Sequence, residues 1–269
     1  MAWPPSATLM DKFADWAGST LHLPYLPAYV PVILRAFIAF NFSNILSSML
    51  SPYVSKTYAT LPKKTRHAWD VRFTSLVHAI LVVYLAWRTM DKPALVQDRA
   101  FGWDPESGTM ASIAVACFLW DVIESVTNFE NIGFLLHACS CLGIFLCTFR
   151  PFLNYYAARF LLWETSTIFL NIHWWLDKTG QTGTTFQLVN GVILMTAFFC
   201  VRLMFGGYQS TQFWHTMGEI RDKVPMPLLI LYTVGNVFLQ GLNWYWFYKM
   251  IAALRKRFVP ANVIEQKTK

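Results

Sequence analysis

Asp121, His137 and Glu164 are ionisable side chains placed inside stretches otherwise apolar enough to cross a membrane. A carboxylate and an imidazole in such surroundings suit proton chemistry. A neutral histidine takes up a proton near neutral pH or acts as a nucleophile, and an acid partner orients it and supports the charge that forms. His137 is the candidate base or nucleophile and Asp121 its candidate partner. His78, Glu124, Glu164, Asn171, His173, Asn236, Gln240 and Asn243 are candidates for holding a substrate. A charge at the centre of a span costs about 2.5–3.5 kcal/mol on insertion scales, so these groups are expected to face a bundle interior, pair with each other, or meet water.

The elements that carry them are long apolar runs. Of 269 residues, 55% are hydrophobic and only 14% charged, too few for the surface of a soluble protein of this size. Seven spans are expected at approximately 29–50, 72–90, 108–127, 132–149, 154–176, 184–206 and 227–250, making an all-α polytopic membrane protein. Breakers fall between them: Pro52 and Pro62, then Pro93 and Gly102, Pro151, Gly180 with Gly183, and Pro225 with Pro227. Residues 1–28 read as a partly interfacial leader, because MAWPPSATLMDKFADWAGST has neither a basic start nor a compact apolar stretch. Residues 255–269 read as a basic tail.

Lys56, Lys63, Lys64, Arg66 and Arg72 in the first connection, and Arg255, Lys256 and Arg257 in the tail, place both on the cytosolic side, with the N-terminus lumenal. Arg150, Arg159, Arg202 and Arg221 then fall toward the opposite face, and the segment before the last span, with Phe213, Trp214, Met217 and Ile220, is expected to lie on the lumenal surface. The net charge of +7 thus meets anionic headgroups, with no aromatic-interleaved basic patch for nucleic acid. The five cysteines lie in apolar runs without zinc spacing or a lumenal pair, so packing is their expected role and no metal site is assigned.

Depth along the spans gives a pattern. Asp121 and Glu124 share a face about 20 Å from the lumenal start of the third span, and His137 comes one to two turns into the fourth. Asn236, Gln240 and Asn243 share a face of the seventh. The polar groups crowd the cytosolic halves and leave the lumenal halves to Leu, Ile, Val, Phe and Ala. A pocket with a polar cytosolic mouth and an apolar floor fits an amphipathic guest such as a lipid or acyl chain. The Asn and Gln stripes equally suit interhelical hydrogen bonds, His173 beside Trp174 and Trp175 suits an interfacial belt, and Glu124 is near enough to the interface to reach water.

Four ordered motifs resemble the TLC-domain family, which includes the ceramide synthases: W-D-V-R-F-T-S-L-V-H-A (69–79), F-L-W-D (118–121), F-L-L-H-A (134–138) and E-T-S-T-I-F-L-N-I-H-W (164–174). The resemblance implies a TLC domain over 66–254, with six helices forming a barrel around a cavity and the first helix (29–50) outside it. It also implies residence in the endoplasmic reticulum. Ceramide synthases use a His-His pair in acyl transfer, whereas here Ala138 follows His137, which places the chain among the non-ceramide-synthase members.

On that footing the enzymatic expectation is acyl transfer from acyl-CoA, as co-substrate, to a membrane lipid. His137 would be base or acyl acceptor and Asp121 its support, with no resident cofactor. The alternative is a non-catalytic lipid binder, sensor or regulator using the same pocket. A seven-span receptor is disfavoured by the lack of D-R-Y after the third span and of N-P-x-x-Y in the seventh, and a retinal protein by the position of Lys249 at the end of the last span. Oligomeric state is not legible in the sequence.

Overall fold

A computed structural model describes residues 8–258, with side chains through Arg255; most of the basic tail expected over 255–269 lies outside the described residues. The chain folds into helices throughout. Helix α1 (Leu9–Thr20) opens with a capping box, in which Thr8 Oγ1 accepts from the Asp11 amide and the Thr8 amide donates to Asp11. It packs Ala14 and Ala17 against α2 (Leu26–Val54) and leaves Phe13 and Trp16 exposed. A short α3 (Lys56–Thr60) leads to α4 (Lys63–Thr89), and α5 (Pro93–Gln97) leads to α6 (Pro105–Thr127). Asp104 caps α6 and Pro105 fills its first turn, where a missing N–H does no harm. Asn131 caps α7 (Ile132–Cys147), and Thr184 caps α10 (Thr185–Phe198).

Five helical runs are long and apolar enough to cross a membrane: Leu26–Val54, Lys63–Thr89, Pro105–Thr127, Thr185–Lys223 and Met226–Arg255. Their outer faces carry Ile38, Phe42, Ile45, Val192, Val234 and Val237 in the open, as lipid-facing surfaces do. The seven regular spans expected from the sequence thus resolve into these five, one short apolar helix and one broken pair. At 16 residues α7 reaches only about 24 Å, less than a bilayer core. The fifth expected span divides into α8 (Asn154–Leu161) and α9 (Glu164–Lys178). Between them the backbone tightens, with the Leu162 and Trp163 amides bonding to carbonyls three residues back.

The long run from Thr185 passes through a π-helical turn, Phe199–Phe205, into α11 (Gly206–Ile220). Here the structure corrects the expected surface helix. Phe213, Met217 and Ile220 are buried in a core with Tyr156 and Tyr232, because the π turn carries the helix onward into contact with α8 and α12 (Met226–Phe258). Packing neighbours run α4–α6–α7–α12–α10–α9 and back to α4, closing a six-membered ring. Helix α2 lies outside that ring against α4 and α6. A hydroxyl seam fastens it there: Ser43 pairs with Thr74 at 3.0 Å, and Asp70 accepts from Ser47 at 2.7 Å and from Tyr58 at 2.8 Å. Burial and the bond to Asp70 push the Tyr58 phenol up to about 12, so it stays a donor.

Gly206 allows one close approach. A Cβ there would press on the Trp163 indole, with Cζ2 at 3.0 Å. Gly206→Ala is expected to cost about 1–3 kcal/mol through overpacking, measured as a lower midpoint in a thermal size-exclusion assay. An unchanged midpoint would show that the indole moves aside freely.

Candidate functional site

The interior of the ring is organised by a residue that the sequence reading placed at the lumenal face. Arg202 is 6% exposed and sits in the middle of the π turn. Its Nε donates to the Trp163 carbonyl at 3.1 Å and to Ser166 Oγ at 2.8 Å. Nη1 donates to Asn243 Oδ1 at 3.2 Å, Nη2 to Thr167 Oγ1 at 3.1 Å, and Nη2 lies 3.6 Å from Glu164 Oε1. The local backbone explains the arrangement. The α8–α9 break brings the Trp163 carbonyl within reach of a donor, and the π turn on the facing helix supplies the guanidinium, a common use of such turns. Fork geometry and permanent charge suit arginine to this place.

The reason Arg202 was misplaced is simple. The expected span ended at 206, so an arginine four residues from its end read as reaching for the interface, but the helix continues to Ile220. The available signal was its setting, A-F-F-C-V-R-L-M-F, where a charge surrounded by apolar residues is by default functional or paired. His78, Glu164 and Arg202 fall at one level, roughly 21–25 Å along their helices from the expected cytosolic ends. Charge therefore reaches deeper than the expected polar mouth.

The other candidates divide into groups. Glu164 is half-buried and close enough to interact electrostatically with His78 and His137. His78, 3% exposed, stands edge-on between Phe40 and Phe118, each centroid 5.7 Å away, and its Nε2 is buried without a hydrogen bond. His137 is half-buried against Phe118 and Trp246, with the Cys141 sulfur 3.8 Å from Nε2. Asp121 is half-buried and near enough to Glu164 and Glu124 to feel their charge. Among the described residues no hydrogen bond or ion pair joins it to His137; the carboxylate that interacts with His137 is Glu164.

Glu124 belongs to the rim, where His67 Nε2 meets Oε1 at 2.6 Å and Asn128 bonds Oε2. Asn171, 2% exposed, accepts from Arg72 at 3.2 Å and donates to Ser75 at 3.1 Å, locking α9 to α4. His173 packs over Gly191 of α10. Asn236 and Gln240 both donate to Ser210 Oγ, at 3.1 and 2.9 Å, and Asn243 serves Arg202. Those three stripe residues of α12 thus hold the bundle together while facing its interior.

Beside this network lies a narrow apolar cleft of about 510 Å³ between α7, α8, α11 and α12. Cys141, Phe145 and Leu239 form part of its wall, Ala157, Phe160 and Phe213 another, and Trp163 and Asn236 border the polar network. Its size falls within the roughly 300–1,000 Å³ of small-molecule sites. His137 stands one helical turn from Cys141, and so next to the cleft wall.

Compared with known proteins, the chain matches the TLC domain family (TRAM, LAG1 and CLN8) over residues 68–252. It is 37% identical to an uncharacterized TLC domain-containing protein of Schizosaccharomyces pombe, over 94% of this chain and 88% of that one. It is 28% identical to Topoisomerase I damage affected protein 4 of Saccharomyces cerevisiae, over 83% of this chain and 84% of the other. Protein CLN8 of Homo sapiens is 24% identical over 81% of this chain and 79% of its own. No solved structure matches.

Proposed function

The chain belongs to the TLC domain family, and from that membership we propose that it is a multi-pass membrane protein of lipid homeostasis that holds a membrane lipid or acyl chain in its interior. The observation that carries this reading is the cleft, walled almost wholly by apolar side chains yet bordered by Trp163, Asn236 and the Arg202 network. An apolar wall gains from burying hydrocarbon at about 25 cal/mol per Å², and a polar border anchors a headgroup. The endoplasmic reticulum is the proposed membrane, with the N-terminus lumenal and the C-terminus cytosolic.

Native mass spectrometry of the purified chain tests this. Retained lipid is expected in the wild type, and Ala157→Phe, which projects a ring from the cleft wall, is expected to expel it while the protein stays monodisperse. A wild type free of lipid, or full retention in Ala157→Phe, sinks the reading.

His137 favours a second, finer reading in which acyl-CoA is co-substrate and the chain is an acyltransferase. Its imidazole lies next to the cleft wall, in contact with Cys141 and in electrostatic reach of Glu164. There it would take the proton from an acceptor hydroxyl or amine, or carry the acyl group itself. With Asp121 unbonded to it, Glu164 becomes the better candidate for its supporting charge.

A further inference from the structure

Four buried polar atoms on α9, α11 and α12 lack a hydrogen-bond partner: Trp163 Nε1, Gln209 Oε1, Gln240 Oε1 and Asn243 Nδ2. Their carriers converge. Gly206, Gln209 and Ser210 share a face of α11; Ser210 bonds both Asn236 and Gln240 of α12; Arg202 bonds both Asn243 and the Trp163 carbonyl. Trp163, 6% exposed, lies against Gly206 and lines the cleft, as does Asn236. Buried polar groups are nearly always satisfied, so two idle donors and two idle acceptors at the border of one apolar cleft point to a bound group that fills both roles.

The charge balance narrows what that group is. Arg202 is the cation of this cluster and Glu164 already faces it at 3.6 Å; Trp163, Gln209, Ser210, Asn236, Gln240 and Asn243 are all neutral. A phosphate or carboxylate would enter with no free counter-charge and lose its hydration. A hydroxyl or an ester carbonyl needs none. We propose that this cluster is the headgroup subsite of the cleft and selects a single-chain lipid with an uncharged headgroup that both donates and accepts hydrogen bonds, of the monoacylglycerol class. The proposal rests on the lipid reading above and adds the headgroup chemistry to it.

The full chain in nanodiscs, labelled with a photoactivatable monoacylglycerol, tests it by competition with unlabelled monooleoylglycerol, oleate and lysophosphatidylcholine. Monooleoylglycerol is expected to compete at roughly tenfold lower concentration than either charged lipid. Trp163→Phe keeps an aromatic ring but removes the donor, and should weaken monooleoylglycerol roughly five- to tenfold while leaving oleate unchanged. If Trp163→Phe does not fold, Gln240→Met removes an acceptor from a different helix and carries the same expectation. Equal competition by the charged lipids, or indifference of a folded variant, overturns the headgroup assignment alone. Failure of all three lipids to displace the label, with crosslinks falling outside the cleft, overturns the lipid reading with it.

Discussion

Arg202→Met is expected to destabilise the protein by about 3–5 kcal/mol, the usual result of removing one member of a buried ion pair. The loss has three parts: Glu164 stays buried without its counter-charge, the Trp163 carbonyl loses its Arg202 donor at the α8–α9 break, and Asn243, Ser166 and Thr167 lose a common partner. Thermal size-exclusion or denaturant titration in detergent measures it. The double variant Glu164→Gln with Arg202→Met should recover part of the loss, since the stranded charge is then gone. Two single losses that simply add in the double would mean that the ion pair contributes nothing and that the two residues act independently.

His137→Ala should lower acyl transfer from acyl-CoA by about 10²–10⁴, the usual contribution of a positioned general base. Lipid retained in the cleft should be unaffected, because His137 is not part of the cleft lining. Asp121→Asn should do much less, as Asp121 makes no hydrogen bond to His137 among the described residues, whereas Glu164→Gln should lower turnover further if its charge supports the imidazolium. Turnover by the purified chain that ignores His137→Ala would remove the imidazole from the chemistry. A chain that holds lipid but turns nothing over would leave the binding role standing alone.

These two expectations differ in how far the sequence led to them. His137 stands out in F-L-L-H-A because a lone imidazole in an apolar run is costly unless used. The stripe of Asn236, Gln240 and Asn243 is readable as one face of a helix from its spacing alone. What spacing does not give is the partner. Ser210 and Arg202 sit in segments that the sequence assigns to a surface helix and a span end, since hydropathy cannot register a π turn that carries one helix through both.

The all-α membrane class, the ring of helices and the family follow from apolar run length, breaker positions and four motifs, because the cost of exposed backbone in hydrocarbon leaves a chain of this composition few alternatives. Tertiary packing decided the rest. It split the fifth span at Trp163, seated Arg202 in the break against Glu164, and parted Asp121 from His137. Each of these depends on which faces of distant helices meet, and an ion pair across α9 and the π turn has no signature in either segment read by itself.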